Sequence, residues 1–434
     1  MDKMADVLGR VGTWCGQNKY LSAIKNAFQN FMPLTIAGAI GVLWCNVLVN
    51  ESTGLGIFFK PIMALEFLNP AFQAVNFCTI SCITVGITLG IAQEIGVWNM
   101  GAEKAGYIPG LVGLAAWLSV TNTSHMVEGA KEAFTGIAGN ELGATGLFTG
   151  MIIGVLSVEL FCFFEKQDAL KIKMPEQVPP GVARAFEVLV PATITLIITA
   201  CIGSACYNLT GLYLNDVIKN GIQGPLGAVG ATIPGVMIIY LVIMLFWLVG
   251  IHGNNMLSAV KEALFTPLAL ENVEKFNKGE KPTNIINMYA LQMWGEFGGS
   301  GVTIGLVIAI MIFGKREDNK AIASLSLVPG LFNINETVTF GIPMVLNPIL
   351  GIPFVFACLV TILVGYVLTV IGFCPVACLT VPWTTPPIVF GFLACGANVM
   401  GAVTQAILIV VSTVIYTPFL ISYEKYQNKQ AAEA

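Results

Sequence analysis

The chain has 434 residues, of which 56% are hydrophobic and only 11% charged, with a formal net charge of −4 and a mean hydropathy of +0.78. A soluble domain carries about 25% charged residues, so this composition excludes an ordinary soluble fold, and with no basic tract it argues against nucleic acid as a partner. Apolar runs recur at about the 20 residues a helix needs to cross a bilayer. They are continuous and do not alternate, which excludes a β-barrel.

In chain order, residues 1–27 read as an amphipathic helix, with Val7, Leu8, Val11, Trp14 and Cys15 at helical spacing among basic residues. Such a helix suits a membrane surface. No cleavable signal is expected, because this stretch lacks a long apolar core. Membrane spans are expected at 28–49, 70–92, 105–121, 142–164, 187–207 and 227–250. A polar stretch from Lys261 to Asn287 follows, and another span is expected at 298–313.

Beyond Gly314 the pattern loses its regularity. Residues 321–332 are apolar but too short to cross, Pro343, Pro348 and Pro353 interrupt the start of 342–373, and 374–400 carries Pro375, Pro382, Pro386 and Pro387 before a final span at 401–423. Broken segments survive inside a bilayer only where protein or a wet cavity satisfies their backbone, and transporters place them at binding sites. The expected fold is an all-α polytopic membrane protein of about ten transmembrane helices, with re-entrant hairpins in the C-terminal half. Lys/Arg bias assigns the N-terminus, the 165–186 linker and 251–290 to the cytoplasm, while the Lys315/Arg316/Lys320 cluster conflicts with a simple crossing at 298–313.

One ionisable residue stands out. Between Ala321 and Tyr423, 103 residues contain a single charged side chain, Glu336. Comparable charges cost roughly 2.5 to 3.5 kcal/mol at a helix centre, so an intramembrane carboxylate faces a partner, a cavity or a cargo. His252 lies in Gly250-Ile251-His252-Gly253-Asn254-Asn255, directly after a span, whereas His125 sits in a loop with Glu128. Further polar groups occur at Asn333, Asn335, Trp383, Thr384 and Glu296. Carboxylates, amides, an imidazole and indole faces suit a neutral polyhydroxylated ligand. A missing buried basic group argues against an anionic one. Glycine runs such as Gly295 to Gly301 read as helix-packing features, and the cysteines in apolar runs as small packing residues. Neither a metal nor a cofactor is expected. Without a P-loop or dinucleotide fingerprint, energy comes from an ion gradient or a partner protein, which leaves an ion-coupled sugar symporter open.

Several motifs resemble one family. They are Lys19-Tyr20-Leu21-Ser22-Ala23-Ile24 leading to Met32-Pro33-Leu34, Val178-Pro179-Pro180-Gly181-Val182-Ala183 with Phe186, and the stretch from Trp247 to Asn255. Asn333-Ile334-Asn335-Glu336 with Gly341-Ile342-Pro343 and Asn347-Pro348, and Pro382-Trp383-Thr384-Thr385-Pro386-Pro387, complete the set. In order and density the chain resembles the membrane-spanning IIC component of the lactose/cellobiose/diacetylchitobiose family of bacterial phosphotransferase systems.

That resemblance implies a multi-pass permease of the bacterial cell (inner) membrane, assembled as a homodimer. The implied division is an N-terminal helix (1–27), a dimerisation domain (28–210), a sugar-binding domain (211–424) and a polar tail (425–434). The implied cargo is a β-linked disaccharide such as diacetylchitobiose or cellobiose. It would be phosphorylated at a C6 hydroxyl by a phosphocysteine on a separate IIB component, itself charged by IIA. His252 and Glu336 match the family's catalytic positions, with Asn254, Asn333, Asn335, Trp383, Thr384 and Glu296 as sugar contacts. The apolar setting of Cys374-Pro375 argues against a phosphocysteine there, so the phosphate is expected on another chain.

Overall fold

A computed structural model describes residues 10, 13, 14, 16–51, 56, 59–125, 134–175, 177–225, 230–342 and 344–433. Val7, Leu8, Val11 and Cys15 of the expected amphipathic helix, Glu128 and Pro343 lie outside the described residues. The described residues fall into two compact units, one within Met1–Gly16, Ile36–Asn76 and Val229–Ala434, the other within Gln17–Thr35 and Phe77–Ala228. Among the described residues, five helices are long and apolar enough to cross a membrane, or up to seven if each of two bent pairs is one span. Among the described residues the only sheet is the two-stranded pairing of β1 (Ser124–His125) with β2 (Phe134–Thr135).

The second unit is built on α1 (Lys19–Leu43), which passes into the first unit, together with α3 (Ile83–Met100), α4 (Ile108–Val120), α5 (Ala144–Glu165) and α6 (Pro180–Thr210). The boundary expected at residue 27 falls inside α1. The helix begins at Lys19 because the Asn18 side chain accepts from the backbone N–H of Tyr20 and of Leu21, both at 3.1 Å, an N-cap arrangement. Gly150 and Gly154 of α5 lie against Thr88 of α3, and Gly113 of α4 against Ala92. Small residues allow the close backbone approach on which membrane helix packing depends. At the far end of α5, buried Glu165 is held by Lys104 at 2.7 Å and Arg184 at 2.9 Å.

In the first unit α2 (Asn69–Asn76) brings Phe72 onto Trp44, with stacked rings 4.2 Å apart. The C-terminal helices are α7 (Ile233–Leu248), α8 (Gly253–Met256), α9 (Ser258–Asn277), α10 (Met288–Gly295) and α11 (Ile304–Phe313). They continue as α12 (Glu317–Leu331), α13 (Glu336–Gly341), α14 (Gly351–Val370), α15 (Val389–Ala394) and α16 (Val399–Glu433). The stretch read as a polar separator is thus largely the helix α9, which buries Phe265, Ala269 and Val273. The expected polar tail is the end of α16, a single helix through Glu433.

Two hairpins organise this unit. Gly230 lies against Leu264 and Gly253 against Ile243, so α9 returns antiparallel to α7 from a tip at 249–257. Gly341 lies against Ile322, so α13 returns beside α12 from a tip at 332–335. The 15 residues of α12 rise about 22 Å, short of the roughly 30 Å hydrocarbon core. With α13 doubling back, this segment is re-entrant.

Helix directions follow from close contacts. Gly305 meets Ser412, and the Lys315 N–H donates to Glu424 at 2.8 Å, so α11 and α16 run parallel to a common polar end. The pair α10–α11, bent by 59°, separates that end from the loop at 278–287. The two basic groups that conflicted in the sequence therefore occupy opposite ends of the unit, and the Lys/Arg rule can assign only one of them to the cytoplasm. The α7–α9 hairpin opens from the 278–287 end and the α12–α13 hairpin from the other. Their tips meet.

Candidate functional site

At the first tip, Gly250 adopts φ +80° and turns the chain back after α7. His252 then caps α8, its Nδ1 accepting from the Asn255 N–H at 3.3 Å. Its ring packs on Trp247, with centroids 4.4 Å apart. An imidazole that accepts at Nδ1 while neutral carries its proton on Nε2. His252 thus presents an N–H donor away from the turn.

At the second tip Asn333 takes φ +63°, a left-handed conformation that Asn tolerates better than most residues. Its Oδ1 accepts from the Gly298 N–H at 2.6 Å, and its Nδ2 donates to the carbonyls of Trp383 and, at 3.1 Å, Thr385. One amide therefore joins the hairpin tip, the α10–α11 break and the proline-rich string. Buried Asn335 donates to the Ser300 carbonyl at 2.8 Å, and Asn254 donates to the Ser300 hydroxyl at 3.0 Å. Ser300, absent from the sequence-based candidates, binds the two tips together.

Glu336 opens α13 with its side chain 49% exposed, and its Oε1 lies 4.0 Å from His252 Nε2, itself on a side chain 38% exposed. The isolated carboxylate and the imidazole thus face each other across an accessible gap. Trp383 is exposed and Thr384 half-buried, tied to this region through the Trp383 carbonyl. His125 belongs to the second unit, where its ring lies 5.6 Å from Phe134.

The glycine run after α10 is a helix break and not a packing stripe. Gly298, Gly299 and Gly301 take φ of +67°, +87° and +75°, and Val302 follows at +50°. A Cβ on Gly299 would collide with Asn335, and one on Gly301 with Phe354.

Glu296, at the C-cap of α10, has partners the sequence did not indicate. Tyr240 donates to its Oε1 at 2.7 Å, and Lys261 Nζ forms an ion pair with the same oxygen. The expectation that no basic group is buried here is corrected by Lys261, only 6% exposed. The available signal was helical phase, since Lys261 precedes buried Phe265 and Ala269 by one and two turns of α9. Cys162, Cys358, Cys374, Cys378 and Cys395 are buried, whereas Cys78 and Cys201 are exposed and not packed inside, and no group of three or more metal-ligating side chains occurs among the described residues.

Comparison with known proteins places this architecture. The chain is 33% identical over 429 residues, 98% of its length and 94% of the relative's, to the oligo-beta-mannoside-specific EIIC component of Bacillus subtilis. It is 28% identical to the cellobiose-specific EIIC component of Lactococcus lactis, covering 98% of each. The crystal structure of the transporter ChbC, the IIC component from an N,N'-diacetylchitobiose-specific phosphotransferase system, superposes with a TM-score of 0.88 at 29% identity, over 98% of both chains. The family model described as "Phosphotransferase system, EIIC" matches residues 25–358, a stretch that runs from α1 through both hairpin tips, and the chain is accordingly a member of the phosphotransferase-system EIIC family of integral membrane permeases.

Proposed function

We propose that this permease carries a β-linked disaccharide and presents its C6 hydroxyl, between His252 and Glu336, to a phosphocysteine on a separate IIB protein. The observation that carries the reading is the 4.0 Å gap between His252 Nε2 and Glu336 Oε1. Four ångströms is too long for a direct hydrogen bond, but a hydroxyl oxygen about 2.8 Å from both atoms would see them ~90° apart, a reasonable hydrogen-bond geometry. Nε2–H donates to that oxygen, and the hydroxyl donates to the carboxylate.

The proposed transfer then balances. The hydroxyl oxygen forms the O–P bond, the S–P bond of phosphocysteine breaks, the thiolate leaves on IIB, and the hydroxyl proton passes to Glu336. A positioned carboxylate base contributes typically 10²–10⁴-fold. Asn254, Asn333, Asn335, Trp383, Thr384 and Glu296 are proposed as sugar contacts, Trp383 offering an aromatic face and Asn333 fixing its backbone. The names of the relatives support a β-linked sugar, with diacetylchitobiose or cellobiose favoured. A homodimer formed through the N-terminal half, residues 28–210, and a sugar-binding part at 211–424 belong to the same proposal.

Reconstitution tests it. In proteoliposomes with phosphorylated IIB supplied inside, cellobiose or diacetylchitobiose is expected to accumulate as its 6-phosphate, and without IIB only exchange is expected. Concentrative uptake without IIB would overturn the reading in favour of an ion-coupled symporter.

A further inference from the structure

A buried ion pair between membrane helices carries a desolvation cost, and the Lys261–Glu296 pair, whose carboxylate is proposed above as a sugar contact, has no part in the transfer step itself. Lys261 lies in the first turn of α9, nine residues after His252, and Glu296 lies at the α10–α11 break, two residues before the Gly298 N–H that Asn333 holds. Tyr240 and Lys261 both bind Glu296 Oε1, and its side chain remains 18% exposed. The ammonium also approaches the Tyr240 ring, 5.5 Å from its centroid.

The geometry points to a charge switch that handles the phosphorylated product. Lys261 is the cation that the newly transferred phosphoryl group meets, and Glu296 is the carboxylate that takes it back so that the sugar phosphate leaves. This rests on the phosphorylation reading above. While the cargo is a neutral sugar, Glu296 neutralises Lys261, and the pair exerts little net field on it. A sugar 6-phosphate is close to dianionic near neutral pH and competes with Glu296 for the ammonium. Glu296, displaced from its cation, then opposes the bound phosphate, and Glu336 joins it once it has released the proton taken from the sugar hydroxyl. The switch thus offers a counter-charge during transfer without trapping the product. Lys261 acts on charge and position and bonds no reacting atom in the resting site.

The test compares the affinities of cellobiose and cellobiose 6-phosphate for purified protein in lipid nanodiscs, with the ratio of the two as the readout. Glu296→Gln frees Lys261 and is expected to shift the ratio at least 10-fold towards the phosphate ester, and to lower kcat through slow release. Lys261→Met is expected to shift it the other way, Lys261→Arg to preserve it, and the double variant to follow Lys261→Met. A general loss of sugar binding from misfolding would lower both affinities and leave the ratio unchanged. An unchanged ratio in Glu296→Gln overturns the switch, provided that neutral-sugar binding survives. If Glu296→Gln binds neither ligand, Lys261→Met decides, and an unchanged ratio there overturns it equally. Failure of the wild type to yield any sugar 6-phosphate with phosphorylated IIB sinks the phosphorylation reading instead, a result independent of the ratio.

Discussion

His252 Nε2 lies 4.0 Å from Glu336 Oε1, each at the tip of a different helical hairpin. Because the hairpins open from opposite ends of the unit, the pair sits where α7–α9 and α12–α13 both turn back. Two tips that meet inside a membrane protein leave backbone polar groups to be satisfied locally. Asn333, at the Gly298 N–H and the Trp383 and Thr385 carbonyls, and Asn335, at the Ser300 carbonyl, do much of this.

The carboxylate is the first target. Glu336→Gln keeps the shape and hydrogen-bonding capacity of the side chain but cannot take a proton. Sugar affinity is expected to change by less than ~10-fold, while transfer from phosphorylated IIB falls by about 10²-fold or more, as for loss of a general base. Equilibrium binding and single-turnover phosphorylation separate the two effects. Full transfer activity in this variant would remove Glu336 from the proton-acceptor role.

The two nitrogens of His252 have distinct tasks. Nδ1 accepts from Asn255 to cap α8, which leaves the Nε2 proton for the sugar. An Asn side chain reaches about as far as Nδ1, and a Gln about as far as Nε2. His252→Asn is therefore expected to keep the cap and the unfolding midpoint but to lose at least ~10-fold in sugar affinity, equal to one hydrogen bond of about 1.4 kcal/mol. His252→Gln should retain more affinity with a weaker cap. Equal affinities for the two variants would show that the tautomer is not fixed in this way.

What the sequence made legible depended on contrast. Glu336 and His252 were visible because ionisable groups are scarce in apolar segments, and the re-entrant region because proline breaks the spans there. Lys261 was hidden by the opposite circumstance, a charge among other charges, in a stretch whose helical phase alone marks it as buried. Ser300 lies in a run of glycines with no polar pattern around it. The α10–α11 break was misread as a packing stripe because glycine serves close helix contact and positive φ equally well, and only the conformation distinguishes them. Contacts between the hairpin tips are long-range, and no local pattern encodes them.

Asn333 combines a backbone and a side-chain requirement, and two substitutions separate them. Asn333→Gly accepts the positive φ but loses the bonds to Gly298, Trp383 and Thr385. Asn333→Asp keeps the acceptor for the Gly298 N–H but sets a carboxylate oxygen against two carbonyls. Both are expected to weaken sugar binding by 3- to 30-fold, roughly one or two hydrogen bonds' worth, with Asp the worse of the two. Quenching of Trp fluorescence by added sugar would follow the loosening of Trp383. Unaltered affinity in both would show that the proline-rich string holds its position without Asn333.

Gly299 offers a test of the helix break itself. Its φ is +87°, and a Cβ there would strike the Asn335 side chain, so Gly299→Ala meets both backbone strain and a clash. The expected cost is ~2 kcal/mol or more, seen as a lower midpoint of thermal unfolding in detergent and as weaker sugar binding, because Asn335 leads directly into Glu336. Gly181, in the first turn of α6, has no positive φ, and a methyl group added there would meet no atom within 4 Å. Gly181→Ala should be neutral or stabilising by up to about 1 kcal/mol, from helix propensity alone. If the two variants unfold at the same temperature, the break after α10 is not conformationally demanding, and the contact between Gly299 and Asn335 does not set the position of Glu336.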